Sequence, residues 1–387
     1  EISYSSVATT DFPFRPLGDG ERLDLGEVVL EFRHTPGHTP ESMSIVVWER
    51  AEDPEPYAVL TGDTLFIGDV GRPDLLSSFG HSREDLAGSL YDSLHNRLMS
   101  LPDATRVFPG HGAGSACGRN LSTETSSTIG DQRRTNYAVK LPDKETFIGL
   151  ITEGQPTAPE YFSHDAVLNR SDHALLDEDE PPAGLLLADL DAAVRGGAVV
   201  VDGRDPEEFA RGHVVGSINI GLNGRYAEFA GSILPVDADI VLVVDPGSEL
   251  EAKNRLARIG FDRVVGNLVD PYAVMQVRPG RVATASRLTA DMLADRLSDV
   301  DDLQLVDVRS PGECGTSGVI PGSVNLPVPV VRARMGELSP GRPTVVYCAG
   351  GYRSSVVASM LRSEGFGDVS DLVGGYAAWE SLVEDVG

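Results

Sequence analysis

The chain of 387 residues is long enough for two or three domains, each with its own core. Its 59 acidic residues against 32 basic ones give a formal charge of -27, which argues against binding to nucleic acid or to an anionic membrane surface. The longest apolar runs, such as Ile240 to Val244, fall far short of the roughly 20 residues that a membrane helix needs.

Three cysteines, Cys117, Cys314 and Cys348, are too few and too far apart for a disulfide framework, so a reducing, cytoplasmic setting is expected. The sequence opens at Glu1 without a basic or apolar leader, so no signal peptide is expected and the start reads as lying inside a domain.

In chain order, Val28 to Arg33 and Ser44 to Trp48 read as strands flanking the loop TPGHTPES. Ala58 to Leu60 reads as a strand running into TGDTLFIGDVGRPDL. Ser82 to Ser100 has leucines at 86, 90, 94 and 98, the spacing of one helix face. A short strand, Arg106 to Phe108, then leads into PGHG. His38, Asp63 and His111 thus fall in three strand-end loops, each with an adjacent glycine that lets the backbone bring its side chain to a point. A lone histidine is more often structural than a ligand, but three such loops together ask for a metal.

Beyond the acidic, proline-containing stretch Asp177 to Gly184, the sequence repeats itself. Val199 begins VVVDGRDPEEFARGHVVGSINI and Leu303 begins LQLVDVRSPGECGTSGVIPGSVNL. Each copy is an apolar strand ending in Asp-x-Arg, then a glutamate-bearing turn and Gly-Ser-x-Asn. Alternating strands and helices imply a parallel α/β sheet in each copy, with Met275 to Ser286 as the linker between them.

The second copy contains VVYCAGGYRSS, Val345 to Ser355. Val345 to Tyr347 reads as a buried strand and Ser354 to Glu364 as a helix, so Cys348 to Arg353 is the turn between them. Unpaired N–H groups and the dipole of a helix start favour a thiolate or an added sulfur on Cys348. Gly350 and Gly351 let the loop curl around the sulfur, and Arg353 adds positive charge. A buried structural cysteine is the plain alternative, and a phosphatase cysteine the chemical one. Phosphatases of that kind place five residues between cysteine and arginine, whereas this loop has four.

On these motifs both copies resemble rhodanese (sulfurtransferase) domains. The resemblance of CAGGYR to that family's active loop implies that Cys348, with Gly350, Gly351 and Arg353, carries and donates sulfane sulfur, and that Tyr352 faces substrate. In the first copy, the strand Ile240 to Val244 leads into Asp245, which reads as the residue replacing the cysteine, so this copy is expected to be inactive. Cys314 has no glycine cradle and reads as a surface or packing residue.

TPGHT, TGDTLF and PGHG, in this order, resemble the second half of a metallo-β-lactamase fold. That superfamily's upstream H-x-H-x-D-H motif has no counterpart in this sequence, where His34 stands alone. The expected architecture is therefore α/β: a partial αββα metallo-β-lactamase sandwich (1–176) followed by an inactive rhodanese-like domain (184–275) and an active one (286–387).

This order, with GDVGRPDLL and PGHGAGSACGRNL, is similar to the bacterial persulfide dioxygenase-sulfurtransferase fusions. The resemblance implies a mononuclear Fe(II) with His38 and Asp63 among its ligands, and His111 as a pocket residue or, in zinc relatives, a further ligand. It also implies that Arg72 meets a carboxylate of the thiol substrate, with an ion pair as the plain reading, and that Cys117 holds or relays a persulfide, with core packing as the plain reading. The implied partners are a low-molecular-weight thiol persulfide, O2 and sulfite or thiosulfate, in a homo-oligomer. A zinc-dependent glyoxalase II-like hydrolase fused to a sulfurtransferase is the alternative, and a sulfur-binding scaffold a third.

Overall fold

The computed structural model describes residues 1–75, 80–112, 122–153, 161–173 and 175–386. The chain divides into two compact units, Glu1–Ala158 with Ala166–His173, and Pro159–Asp165 with Ala174–Gly387.

The first unit is built on a six-stranded sheet with the spatial order Arg22–Leu25, Val28–His34, Met43–Trp48, Ala58–Gly62, Arg106–Pro109, Ser127–Thr128. The first four strands are antiparallel neighbours, while Ala58–Gly62 runs parallel to Arg106–Pro109. A parallel pair needs a crossover, and the leucine-spaced segment supplies it. Ser82 caps the helix Arg83–Asp92 by accepting from the Asp85 amide, and a π-turn, Ser93–Leu98, continues it. Leu86, Leu90, Leu94 and Leu98 are all buried; the last three pack with Val46, Val59 and Val107 of the sheet and with Phe147 and Ile151 of the helix Lys144–Thr152. Each such side chain removed from water contributes about 1.5–3 kcal/mol.

The second unit holds two five-stranded parallel sheets. One has the order Ile218–Asn219, Val199–Asp202, Ile240–Val243, Val264–Leu268, Gly184–Leu185. The other has Val324–Asn325, Gln304–Asp307, Thr344–Tyr347, Val369–Leu372, Ser286–Leu288. The two orders are the same, strand for strand, so the sequence repeat is a repeat of topology. Central strands Ile240–Val243 and Thr344–Tyr347 are buried throughout, as strands covered on both faces must be.

The segment expected to be a plain linker is more ordered than that. The helix Pro271–Val277 runs into it, a 3-10 turn follows at Pro279–Arg281, and Val282–Ala283 pairs antiparallel with His213–Val214. The acidic stretch at 177–180 is held by its main chain: Lys253 Nζ donates to the Asp177 and Glu180 carbonyls, and Asn254 Nδ2 to that of Glu178.

Both Asp-x-Arg motifs are buried rivets. Arg309 Nε and Nη2 fork onto Asp307 at 3.0 and 2.6 Å, and Arg204 onto Asp202 at the same distances. The Nη2 groups also donate to the Gly318 and Gly212 carbonyls. The repeated asparagine completes each knot: Asn325 Nδ2 donates to the Asp307 and Arg309 carbonyls, and Asn219 to those of Asp202 and Arg204.

One apolar cluster joins the two copies. It contains Ile220, Tyr226, Phe229 and Ile233 from the first, and Val328, Val331, Cys348, Val356, Val357 and Met360 from the second. The helix Val328–Arg334 packs on Tyr226–Ile233, and the helix Tyr352–Ser363 on Ile218–Asn219. Polar bonds cross as well, among them the Asn219 amide to Ser359 Oγ at 2.9 Å and Arg332 Nε to the Ile233 carbonyl at 2.7 Å. Because removing one partner of a buried pair strands the other charge, Arg309→Met is expected to lower unfolding stability by about 3–5 kcal/mol. Urea denaturation of the full chain reads this, and an unchanged midpoint would refute the rivet.

Candidate active sites

Strand Thr344–Tyr347 delivers Cys348, which is 1% exposed, to the mouth of its sheet. Alternation along the strand puts Val346 and Cys348 on the face shared with the first copy, and Val345 and Tyr347 on the opposite one. The Gly351 amide donates to Cys348 Sγ at 3.1 Å, and Ser354 Oγ lies 3.6 Å from the sulfur. Gly351 caps the helix Tyr352–Ser363 with φ 99°, a left-handed conformation that glycine adopts without strain.

The loop is also held from behind. The Tyr376 and Ala377 amides, at the start of the helix Gly375–Val386, donate to the Cys348 and Ala349 carbonyls at 2.6 and 3.2 Å. Gly375 has φ 60°, and a Cβ there would lie 2.3 Å from the Cys348 carbonyl oxygen, so only glycine fits. A Cβ on Gly350 would meet open space.

Arg353 is not a bare charge. Its guanidinium forks onto Glu313, with Nη1–Oε2 at 2.8 Å and Nη2–Oε1 at 2.6 Å. The Arg353 bond, assisted by the Ser310 amide, holds the Glu313 carboxyl down at about 2, from an ordinary value of 4.5. The same bond raises the Arg353 pKa, with the Cys348 sulfur contributing further. Cys314 Sγ lies 3.4 Å from Asp307 Oδ2 and 3.5 Å from Asn325 Nδ2; burial, then the Asp307 charge, pushes its thiol up, away from the reactive thiolate.

Sheet register corrects one reading. Asp307 pairs with Tyr347 and Asp202 with Val243, so Val244, and not Asp245, stands at the level of Cys348. Val244 and Cys348 both line the shared cluster. Asp245 lies one residue on and accepts from the Tyr272 hydroxyl at 2.5 Å. Counting the same way, Pro271 occupies the place of Gly375, so the first copy lacks both the thiol and the glycine behind it.

In the first unit the three expected ligands meet at Asp63. Its Oδ2 is 3.5 Å from His38 Nε2 and 3.3 Å from His111 Nε2. The backbone is drawn tight around it: a Cβ on Gly71 would fall 1.9 Å from the Asp63 carbonyl oxygen, and one on Gly110 2.5 Å from Asp63 Oδ1. His38 Nδ1 donates to the Arg72 carbonyl at 2.9 Å, which fixes the proton there and leaves the Nε2 lone pair toward the carboxylate. Burial pushes the His38 pKa down, so the ring favours this neutral form. Two acceptors facing each other call for a cation between them. Donors about 2.1 Å from one ion and about 100° apart stand roughly 3.2 Å from each other, close to what is seen here. The donor types therefore fit a metal, although among the described residues no group of three or more such side chains forms a complete ligand set.

Arg72 is 1% exposed, with Nε and Nη2 each 2.7 Å from the carboxylate of the half-buried Asp74. His34 bonds Ser5 Oγ and the Leu17 carbonyl. Cys117 lies outside the described residues. The sequence reading missed Glu313, Gly375 and Tyr376 as supports of the loop. Glu313 had a signal, since Ser310-Pro-Gly-Glu313 is a capping box, and both its bonds are present.

The rhodanese-like domain family matches residues 186–270 and 289–382. A sulfurtransferase of Allochromatium vinosum is 37% identical over 94 residues, 24% of this chain and 87% of that protein. A probable metallo-hydrolase of Burkholderia pseudomallei is 38% identical over 128 residues, 33% of this chain and 40% of its own length. The mitochondrial persulfide dioxygenase ETHE1 of Mus musculus is 28% identical over 144 residues, 37% and 47%. The chain thus spans less than half the length of the last two. The crystal structure of a metallo-β-lactamase from Staphylococcus aureus aligns with a TM-score of 0.60 and 30% identity, covering 67% of this chain and 73% of that one. Fold and matches together define a metallo-β-lactamase-fold portion followed by tandem sulfurtransferase-like domains. This chain belongs to the rhodanese family, as such a fusion.

Because the folded pKa of Glu313 is depressed, its bond to Arg353 contributes stability above about pH 4.5, and that contribution disappears as pH falls toward about 2. Glu313→Gln is therefore expected to be less stable than the parent at pH 7, with the difference vanishing near pH 2. Urea midpoints across that range check it, and a constant difference would refute it.

Proposed function

We propose that this chain takes part in oxidising low-molecular-weight thiol persulfides with O2 to sulfite, and that Cys348 then transfers a sulfane sulfur to give thiosulfate. The observation that carries this reading is the thiol loop of Cys348 in the same chain as the His38, Asp63 and His111 cluster. The likeness to a persulfide dioxygenase and to a sulfurtransferase supports it. Residues 1–176 serve the oxidation and 286–387 the transfer, while 184–275 carry no sulfur. The setting is the cytoplasm.

His38 and Asp63 would hold a mononuclear iron, with His111 beside them. Bound Fe(II) supplies open positions for O2 and a thiol sulfur. The Arg72 carbonyl holds His38 in the tautomer that presents Nε2. The Arg72–Asp74 pair keeps that carbonyl in place from a buried position.

In the transfer half, the Cys348 thiolate attacks the outer sulfur of a persulfide. The sulfur–sulfur bond breaks, and the low-molecular-weight thiol leaves with its electron pair and takes a proton. The sulfite sulfur then attacks the outer sulfur on Cys348, releasing thiosulfate and restoring the thiolate. The Gly351 amide stabilises the sulfur anion at both stages. No external oxidant or reductant is needed for this half.

A second reading, a zinc-dependent glyoxalase II-like hydrolase fused to a sulfurtransferase, is favoured by the metallo-hydrolase relative and by the approach of His111 to Asp63. Elemental analysis of protein purified without oxygen separates the two. About one iron per chain, lost in Asp63→Asn, is the expected result, whereas about two zinc ions with thioester turnover would establish the hydrolase. Cys348→Ser is expected to keep oxygen uptake and to shift the product from thiosulfate toward sulfite. Equal thiosulfate yields from variant and parent would overturn the coupling.

A further inference from the structure

Tyr352, inside the thiol loop, does not close on its own domain. Its hydroxyl donates to the Gly221 carbonyl of the first copy at 2.6 Å, and its ring lies 5.5 Å from that of Phe229. The ring fills a notch between Gly221 and Gly224. A Cβ on Gly224 would lie 2.4 Å from Tyr352 Cζ, and one on Gly221 3.5 Å from the ring. Gly224 has no left-handed backbone to explain its glycine; the contact explains it. The internal repeat acts as a control. Counting from the paired asparagines, the positions of Gly221 and Gly224 are Pro327 and Val330 in the second copy.

The notch is itself braced. Arg255 Nη1 and Nη2 donate to the Leu222 and Gly224 carbonyls at 2.5 and 2.8 Å, while the guanidinium lies 5.4 Å from the Tyr226 ring. Burial pushes the Tyr352 phenol well above its ordinary range, so it remains a donor.

We propose that Tyr352 is a positioning residue: seated in the Gly221 and Gly224 notch of the thiol-free copy, it fixes the loop that presents Cys348 sulfur. The first copy then supplies half the frame of the second copy's active loop. This inference rests on the sulfur-carrier reading of Cys348.

The test is a double-mutant cycle between Gly224→Ala and Tyr352→Ala in the full chain. It is read by sulfur transfer from thiosulfate to a thiol and by the rate at which iodoacetamide alkylates Cys348, followed by peptide mass spectrometry. Gly224→Ala is expected to slow transfer and speed alkylation by about tenfold or more, since small displacements of reacting groups cost up to about a hundredfold. In the Tyr352→Ala background the same change is expected to add nothing. Tyr352→Phe, which keeps the ring, is expected to lose about fivefold in transfer. Equal effects of Gly224→Ala in both backgrounds, or parental rates in both single variants, would overturn the clamp. If the parent transfers no sulfur, the carrier reading fails, while the alkylation cycle still decides the clamp.

Discussion

The geometry around Cys348 depends on an ion pair that never touches it. Asp307 and Arg309 are both buried, and a buried guanidinium is tolerated only when its donors are matched. Arg309 meets that condition with Asp307, the Gly318 carbonyl and Ser317 Oγ, and lies 4.2 Å from the Tyr376 ring and 5.6 Å from that of Tyr347. Tyr347 precedes the cysteine, and the Tyr376 amide holds the cysteine carbonyl. The turn that follows the pair carries Glu313, which neutralises Arg353. Strand end, support helix and loop arginine thus all refer back to one carboxylate, and the placement of the sulfur cannot be separated from the folding of the sheet.

The two copies show what such a frame keeps when the thiol is absent. Strand order, Asp-x-Arg rivet and asparagine knot are unchanged in the first copy, because each satisfies buried groups that the sheet itself creates. Valine stands in the place of the thiol, and Tyr272, the counterpart of Tyr376, bonds Asp245, where the Ser248 amide closes a turn on the Asp245 carbonyl. Pro271 stands where Gly375 is obligatory in the second copy.

The two-domain repeat, the strands around the histidine loops and the leucine-spaced helix were legible because each rests on periodicity, which local sequence carries. His38, Asp63 and His111 do converge on one carboxylate, which three separate glycine-flanked loops had suggested. What was not legible depended on distance in space. In sequence Asp245 stands out as the replacement for the cysteine, and only hydrogen-bond register reveals the offset of one residue. Gly375 looks like any helix-start glycine until the Cys348 carbonyl is seen beside it. The pairing of Glu313 with Arg353 spans 40 positions, and the seat of Tyr352 lies 131 positions away, beyond any local pattern.

The single apolar cluster shared by the copies also bears on how this gene can change. Val328, Val331, Val356, Val357 and Met360 of the thiol-bearing copy share one cluster with residues of its neighbour, so deletion of the thiol-free copy would bare apolar surface and invite aggregation. Both the shared apolar cluster and the seat of Tyr352 tie the thiol-free copy to its sibling, which would lose a wall without it.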